Sequence, residues 1–283
     1  MEIAFVKMEG LGNDFILIDD RNGAIAKIRP YPELARALCS RHFGIGADGI
    51  LLMLTSKTLD MRFYIYNSDG SQAQMCGNGI RCFAKYAFEH KLVTGRRIRV
   101  ETLAGEIVPE VIVDDSGQVT AVRVDMGEPV LMCEKIPFQW AHPTAVDVPL
   151  TVNGESYSVT AVSMGNPHAV LFVEDIHAVD IDQIGPAIET HPGFPQKTNV
   201  EFIQVVSDTH LRMRVWERGA GVTLACGTGA CAALVAACLT GRSRSSARVE
   251  LDGGDLEISW DQNTRHVFKT GPANLVFTGQ ITI

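Results

Sequence analysis

Two stretches of this chain repeat one another 150 residues apart, and no other feature limits the possible folds so strongly. The first runs Met61-Arg-Phe-Tyr-Ile-Tyr-Asn-Ser-Asp-Gly and then Ser-Gln-Ala-Gln-Met-Cys76-Gly77-Asn78-Gly79. The second runs Leu211-Arg-Met-Arg-Val-Trp-Glu-Arg-Gly-Ala and then Gly-Val-Thr-Leu-Ala-Cys226-Gly227-Thr228-Gly229. Each combines an alternating strand pattern, a Gly-bearing turn, a Cys-Gly-x-Gly and an apolar, small-residue stretch of helical composition. A further pair, Gly12-Asn13-Asp-Phe-Ile-Leu-Ile18 and Gly165-Asn166-Pro-His168-Ala-Val-Leu-Phe172, recurs at an offset of 153. Both members read as a Gly-Asn turn followed by an apolar strand. A duplicated fold follows, presenting one thiol from each half.

Around these anchors the remaining elements fall into place. Helices are predicted over Pro32–His42, Ile80–His90, Ile181–Thr190 and Ala230–Leu239. The first carries Pro and Glu in its opening turn and basic residues in its last. Strands are predicted over Ile50–Leu54, Arg97–Thr102, Glu106–Val113 and Ala121–Asp125 in the first half. In the second they fall at Val200–Val206, Ala247–Leu251, Asp255–Trp260 and Arg265–Thr270. Many strands and few helices, duplicated, make an α+β chain of two similar domains. Its 283 residues suffice for two cores. The division is placed near Asp125–Pro129, giving residues 1–126 with 272–283 as the Cys76 domain and 127–271 as the Cys226 domain, the last strand, Asn274–Ile283, returning to the first.

Composition excludes several function classes. A net charge of −8 argues against a nucleic-acid partner, which calls for a basic face. The longest smooth apolar stretch, Ala225–Leu239, is too short for a bilayer span and contains two glycines, so no membrane partner is expected. The opening residues lack the basic and apolar regions of a signal peptide. Seven cysteines without a framework spacing point to a reducing, cytoplasmic setting.

The chemistry lies where each Cys-Gly-x-Gly meets its helix. Unpaired N–H groups and the helix dipole favour an anion there, so each thiol is expected to fall from about 8.5 toward neutrality. The same N–H groups, approachable at Gly77, Gly79, Gly227 and Gly229, can cradle a substrate carboxylate and stabilise charge as its α-proton leaves. Two matched acid/base groups suit a reaction that removes a proton from one face of a carbon and returns one to the other. Cys39, Cys82, Cys133, Cys231 and Cys238 are assigned to packing. Neither Cys76-x5-Cys82 nor Cys226-x4-Cys231 has the short paired spacing of a structural zinc site, and no metal or other cofactor is expected.

The segments Lys7–Asp14, Asn67-Ser-Asp-Gly-Ser71, Met75-Cys-Gly-Asn-Gly-Ile-Arg-Cys82, Gly165-Asn-Pro-His168, Glu217-Arg-Gly-Ala-Gly221 and Ala225-Cys-Gly-Thr-Gly-Ala-Cys231 together resemble the diaminopimelate epimerases. The resemblance covers essentially the whole chain. It implies a cofactor-independent epimerase interconverting LL- and meso-2,6-diaminopimelate in lysine biosynthesis and also, depending on the host, in peptidoglycan precursor supply. It further implies a β-barrel-like sheet around a central helix in each domain, an active site between the domains and a homodimer. The family's thiol pair falls on Cys76 and Cys226. Its binding residues carry over to Asn13, Asn67, Gly77, Asn78, Asn166, Asn199, Glu217, Arg218, Gly227 and Thr228, and its supporting residues to His168 and Glu217. The chain departs from the family at Gly49, where many members carry a substrate-contacting Gln.

Residue chemistry accommodates these assignments. Arg218 offers a fork for a distal carboxylate, the asparagines neutral donors, and Glu217 an acceptor for a distal ammonium. Asn13, Asn67 and Asn166 also suit plain turn chemistry, and His168 a buried histidine bonded to backbone. Trp140, Trp216 and Trp260 read as core or interface. Two alternatives stay open beside the epimerase: a racemase of a smaller or cyclic amino acid, and a cysteine hydrolase or a carboxylate-binding protein without turnover. A small substrate leaves Arg218 without a partner, and a hydrolase needs one Cys with a His base, not two Cys.

Overall fold

The computed structural model describes residues 2–282. The chain divides into two compact units, Met1–Val124 with Gly271–Ile283, and Asp125–Thr270.

In the first unit, Glu2–Gly10 (β1) and Asn13–Asp19 (β2) pair as a hairpin whose two turn residues, Leu11 and Gly12, both have positive φ. That turn matches the twist of the flanking strands and sets Asn13 at the head of β2. Helix α1 (Tyr31–Cys39) then crosses to Gly49–Leu54 (β3), which lies parallel to β2. Next come Met61–Asn67 (β4), antiparallel to β3, and the short Gln72–Ala73 (β5), antiparallel to β4. Helix α2 (Gly79–Glu89) crosses to Val100–Thr102 (β6), parallel to β4, followed by Gly105–Ile107 (β7). A hairpin of Glu110–Val113 (β8) and Val119–Asp125 (β9) completes the segment.

The second unit repeats this order. After Val148–Val152 (β10), the strands Glu155–Ser163 (β11) and Pro167–Val173 (β12) pair antiparallel. Helix α3 (Ile181–Glu189) crosses to Asn199–Ser207 (β13), parallel to β12. His210–Glu217 (β14) and Gly221–Thr223 (β15) follow, and α4 (Gly227–Leu239) crosses to Ser246–Leu251 (β16), parallel to β14. Gly254–Trp260 (β17) and Val267–Gly271 (β18) then pair antiparallel with one another. The last strand, Asn274–Thr282 (β19), pairs beside β1; Ile283 lies outside the described residues.

Each unit is a sheet packed against a central helix, so the fold is the duplicated α+β one expected. Helix α4 is apolar all round, buries Gly229 through Ala237 and packs against β11–β14, β16 and β17, as a helix enclosed by its own sheet must. Helix α2 buries one face, including the whole of Arg81, against β1, β3, β4 and β8. Two of the boundaries that depart from the sequence reading have visible causes. The strand expected over Glu106–Val113 breaks between β7 and β8 at Pro109, which has no N–H to give a ladder; its carbonyl accepts instead from Ile98 N–H at 3.1 Å. Helix α1 ends at Cys39, short of His42, because the chain turns back there, Ile45 and Gly46 N–H both donating to Leu38 O. Among the described residues no helix is long and apolar enough to cross a membrane.

Candidate active site

Cys76 and Cys226 occupy the same local geometry. Each lies just before its helix, and each Sγ accepts from the N–H three residues on, Gly79 for Cys76 and Gly229 for Cys226, both at 3.4 Å. Any side chain at these glycines would displace a buried neighbour. A Cβ on Gly79 would come within 2.9 Å of Leu51 Cδ2, and one on Gly229 within 2.7 Å of Glu201 Oε1.

What surrounds the two thiols differs. Cys76 is half-buried, and its Sγ lies 3.9 Å from Asn13 Oδ1. Asn13 Oδ1 also accepts from Asn78 Nδ2 at 3.3 Å, while Asn13 Nδ2 donates to Asp48 Oδ2 at 2.7 Å. Behind them Arg81, wholly buried, donates through Nη1 to Asn78 Oδ1 at 2.9 Å and through Nε to Pro272 O at 3.0 Å. The structure thus brings Cys76, Gly77, Asn13 and Asn78 together at the start of α2. Asn67 stands apart from that network: it is exposed at the end of β4, its Nδ2 donating to Ser71 Oγ at 2.9 Å.

Cys226 is buried, with the Thr228 hydroxyl 3.5 Å from Sγ. Here the expectation of a thiol lowered toward neutrality is overturned. Burial pushes the Cys226 thiol well above its ordinary range, and the carboxyls of Glu217 and Glu201 add to this; the Thr228 hydroxyl and the Gly229 N–H oppose it without prevailing. The helix dipole falls off within a turn and carries only partial charge, so desolvation outweighs it. Lys269 of β18, also buried, packs against Gly227.

The remaining residues of the second unit form two groups. His168 is fully buried between Glu201 Oε1, 2.6 Å from Nδ1, and Asn166 Oδ1, 3.0 Å from Nε2. Asn199, expected as a ligand donor, is buried and engaged with backbone: its Oδ1 accepts from Arg218 N–H at 3.0 Å and its Nδ2 donates to Pro167 O at 2.9 Å. It therefore fixes the Arg218 turn against the Pro167 turn. Glu217 accepts from Thr223 Oγ1 at 2.5 Å, and the exposed Arg218 donates from Nη1 to Gln196 O at 3.1 Å. Among the described residues, no group of three His, Cys, Asp or Glu side chains is arranged to hold a metal ion.

A family model described as diaminopimelate epimerase matches residues 5–132 and 160–276. The chain is 59% identical over its full length, and that of its relative, to a diaminopimelate epimerase of Desulforapulum autotrophicum. It is 55% identical to one of Desulfitobacterium hafniense, covering 99% of this chain and 97% of that one. The chain belongs to the diaminopimelate epimerase family. Solved structures share the fold at low identity. A phenazine biosynthesis protein of the PhzF family from Bacillus anthracis superposes with a TM-score of 0.69 at 14% identity, covering all of both chains. A probable proline racemase from Agrobacterium radiobacter gives 0.68 at 17%, covering 99% of this chain and 93% of that one.

Gly49 of β3 has no room for a side chain. A Cβ at this position would come within 2.7 Å of Tyr66 O on the paired strand β4, so a glutamine here would require β3 and β4 to separate locally. Three buried charged residues close to the thiols escaped the sequence reading: Arg81, Glu201 and Lys269. A signal for Glu201 existed, since the 150-residue offset aligns it with Leu51, an acid where the first half has an apolar residue.

The unequal settings have a measurable consequence. In ligand-free protein at pH 7.5, iodoacetamide is expected to alkylate Cys76 at least about tenfold faster than Cys226, because only thiolate reacts, Cys226 is buried with its thiol pushed up, and Cys76 is only half-buried. Peptide mapping reads this directly; equal rates at the two sites would refute the asymmetry.

Proposed function

We propose that this protein epimerises LL-2,6-diaminopimelate to the meso isomer without a cofactor, Cys76 and Cys226 serving as the two acid/base groups. The observation that carries the reading is the pair of Cys-Gly-x-Gly helix starts, each thiol held by the same N–H contact within a duplicated topology. The family membership supports the substrate.

In this mechanism one thiolate removes the α-proton and the other thiol supplies a proton to the opposite face. The buried, carboxyl-flanked Cys226 begins as the thiol, which leaves Cys76 as the first base. N–H groups at Gly77, Asn78, Gly227 and Thr228 take the α-carboxylate, whose negative charge grows as the proton leaves. Asn13, Asn67 and Asn166 donate to substrate carboxylates, and Asn199 acts by holding the Arg218 turn. Arg218 and Glu217 take the distal carboxylate and ammonium, with His168 supporting Asn166. The product has the carbon skeleton of lysine plus one carboxylate, which suits a step in lysine biosynthesis. All seven cysteines are free thiols, which fits a reducing cytoplasm.

The substrate assignment is tested by supplying LL-diaminopimelate and L-proline separately and following optical rotation. Turnover of the first and not the second is expected. Turnover of proline alone would replace this reading with the small-substrate racemase.

A homodimer is also proposed. Strand β19 ends its sheet, pairs only with β1 among the described residues, and leaves Leu275, Val276 and Phe277 about half exposed. An apolar open edge of this kind invites a second copy. Sedimentation at micromolar concentration is expected to give twice the 30.8 kDa chain mass; a monomer mass would remove the proposal.

A further inference from the structure

The two units carry different pairs of buried side chains at one matched position. In the first unit, Phe15 lies opposite Gly49 and Leu17 opposite Leu51 on the parallel ladder of β2 and β3. In the second, His168 lies opposite Asn199 and Val170 opposite Glu201 on the ladder of β12 and β13. Phe15 and Leu51 therefore correspond to His168 and Glu201. The helix starts confirm it: Leu51 Cδ2 lies where Gly79 has room for no Cβ, and Glu201 Oε1 lies in the same place beneath Gly229. All four side chains are buried. The first unit shows that the fold packs at this point with an apolar pair, and a buried ionisable pair in its place carries a desolvation cost without a packing need.

The hydrogen bonds show what the polar pair accomplishes. His168 Nε2 faces Asn166 Oδ1, an oxygen with no hydrogen to give, so Nε2 carries the hydrogen and donates. Nδ1 is 2.6 Å from Glu201 Oε1, so one further proton lies between that nitrogen and that oxygen. Whichever of the two holds it, the pair is neutral overall and Nε2 stays a donor. Asn166 is thereby fixed with its oxygen toward His168, and its Nδ2 makes no hydrogen bond among the described residues. An amide held this way presents two N–H donors to a carboxylate. Turned over, it would present an oxygen and repel it.

We propose that Glu201 is a positioning residue for carboxylate binding, acting through His168 to lock the Asn166 amide with its NH2 toward the substrate. The inference rests on the epimerase reading for the identity of that carboxylate. Glu201 touches no substrate atom in this account. Its second oxygen, Oε2, is buried and has no partner among the described residues, which fits a group retained for what its first oxygen does.

The full-length enzyme supplies the test. The double variant Glu201→Leu/His168→Phe installs the first unit's own pair and is expected to fold, with unchanged circular dichroism and a cooperative melt. Its KM for diaminopimelate should rise at least tenfold, with a smaller fall in kcat, because Asn166 has lost its lock. Glu201→Gln keeps the volume but removes the shared proton. Its amide can either donate to Nδ1 or accept from it, so neither His168 tautomer is enforced; KM should rise several-fold, and the strongly downfield ring-proton resonance expected of wild-type His168 should be absent. A double variant that folds with wild-type KM, or a Glu201→Gln variant with wild-type KM and an unchanged ring-proton signal, overturns the proposal. If the double variant does not fold, Glu201→Gln decides alone. The ring-proton signal needs no substrate: its presence in an enzyme inert toward diaminopimelate would fault the substrate reading and leave the lock in place.

Discussion

Replacing either Cys76 or Cys226 with serine is expected to lower kcat by about 10²- to 10⁴-fold at neutral pH, the scale of a positioned acid/base group lost outright. A serine hydroxyl preserves shape and can still accept from Gly79 or Gly229 N–H, so both variants should fold normally. It is far too weak an acid to change protonation state within a turnover. The two losses should not multiply, because each alone breaks the same two-proton sequence. Steady-state rates of the two single variants and the double variant check this. Near-normal turnover by either single variant would leave one thiol sufficient and end the two-base account.

Arg218→Met is expected to be the next most damaging change. The guanidinium is exposed in the ligand-free chain and gives one hydrogen bond to Gln196 O, while its backbone is pinned by Asn199. Loss of one partner from a desolvated charge pair costs about 2–5 kcal/mol, and solvent screening places this one near the lower end, roughly thirtyfold in kcat/KM. Part of that binding energy aligns the α-carbon, so kcat should fall together with affinity. Thermal stability should hardly change, since no core contact is removed. A variant with wild-type kcat/KM on diaminopimelate would detach Arg218 from the distal carboxylate.

The duplicated fold was legible because its signals are local. Gly-Asn turns, Cys-Gly-x-Gly helix starts and alternating strands recur at nearly fixed offsets, and the structure repeats the same strand–helix order in both units. Boundaries were misjudged where one residue interrupts a pattern, as Pro109 does between β7 and β8. The site was legible in its residue types and less so in their partners. Asn199 suits a ligand donor by type, and its amide also bonds to Arg218 N–H and Pro167 O, contacts that only the turn geometry creates. The Cys226 thiol was expected low because a helix start lies next to it in the chain. What raises it is burial, with Glu217 and Glu201 drawn in from β14 and β13, and no spacing along the chain expresses that convergence. Glu201 itself is hidden in an apolar strand and stands out only when the two halves are laid side by side.

The central claim is that different groups take the proton and return it. Its most direct test starts from LL-diaminopimelate in D2O and stops the reaction within the first few per cent of conversion. Mass spectrometry of the separated isomers then locates the label. Two bases predict one deuterium at the α-carbon of nearly every meso molecule and none in the recovered LL substrate, because the group that accepts the substrate proton is not the one that delivers the solvent deuteron. Unlabelled meso product, or recovered LL substrate labelled as fast as product, would mean that one group does both jobs and would contradict the account.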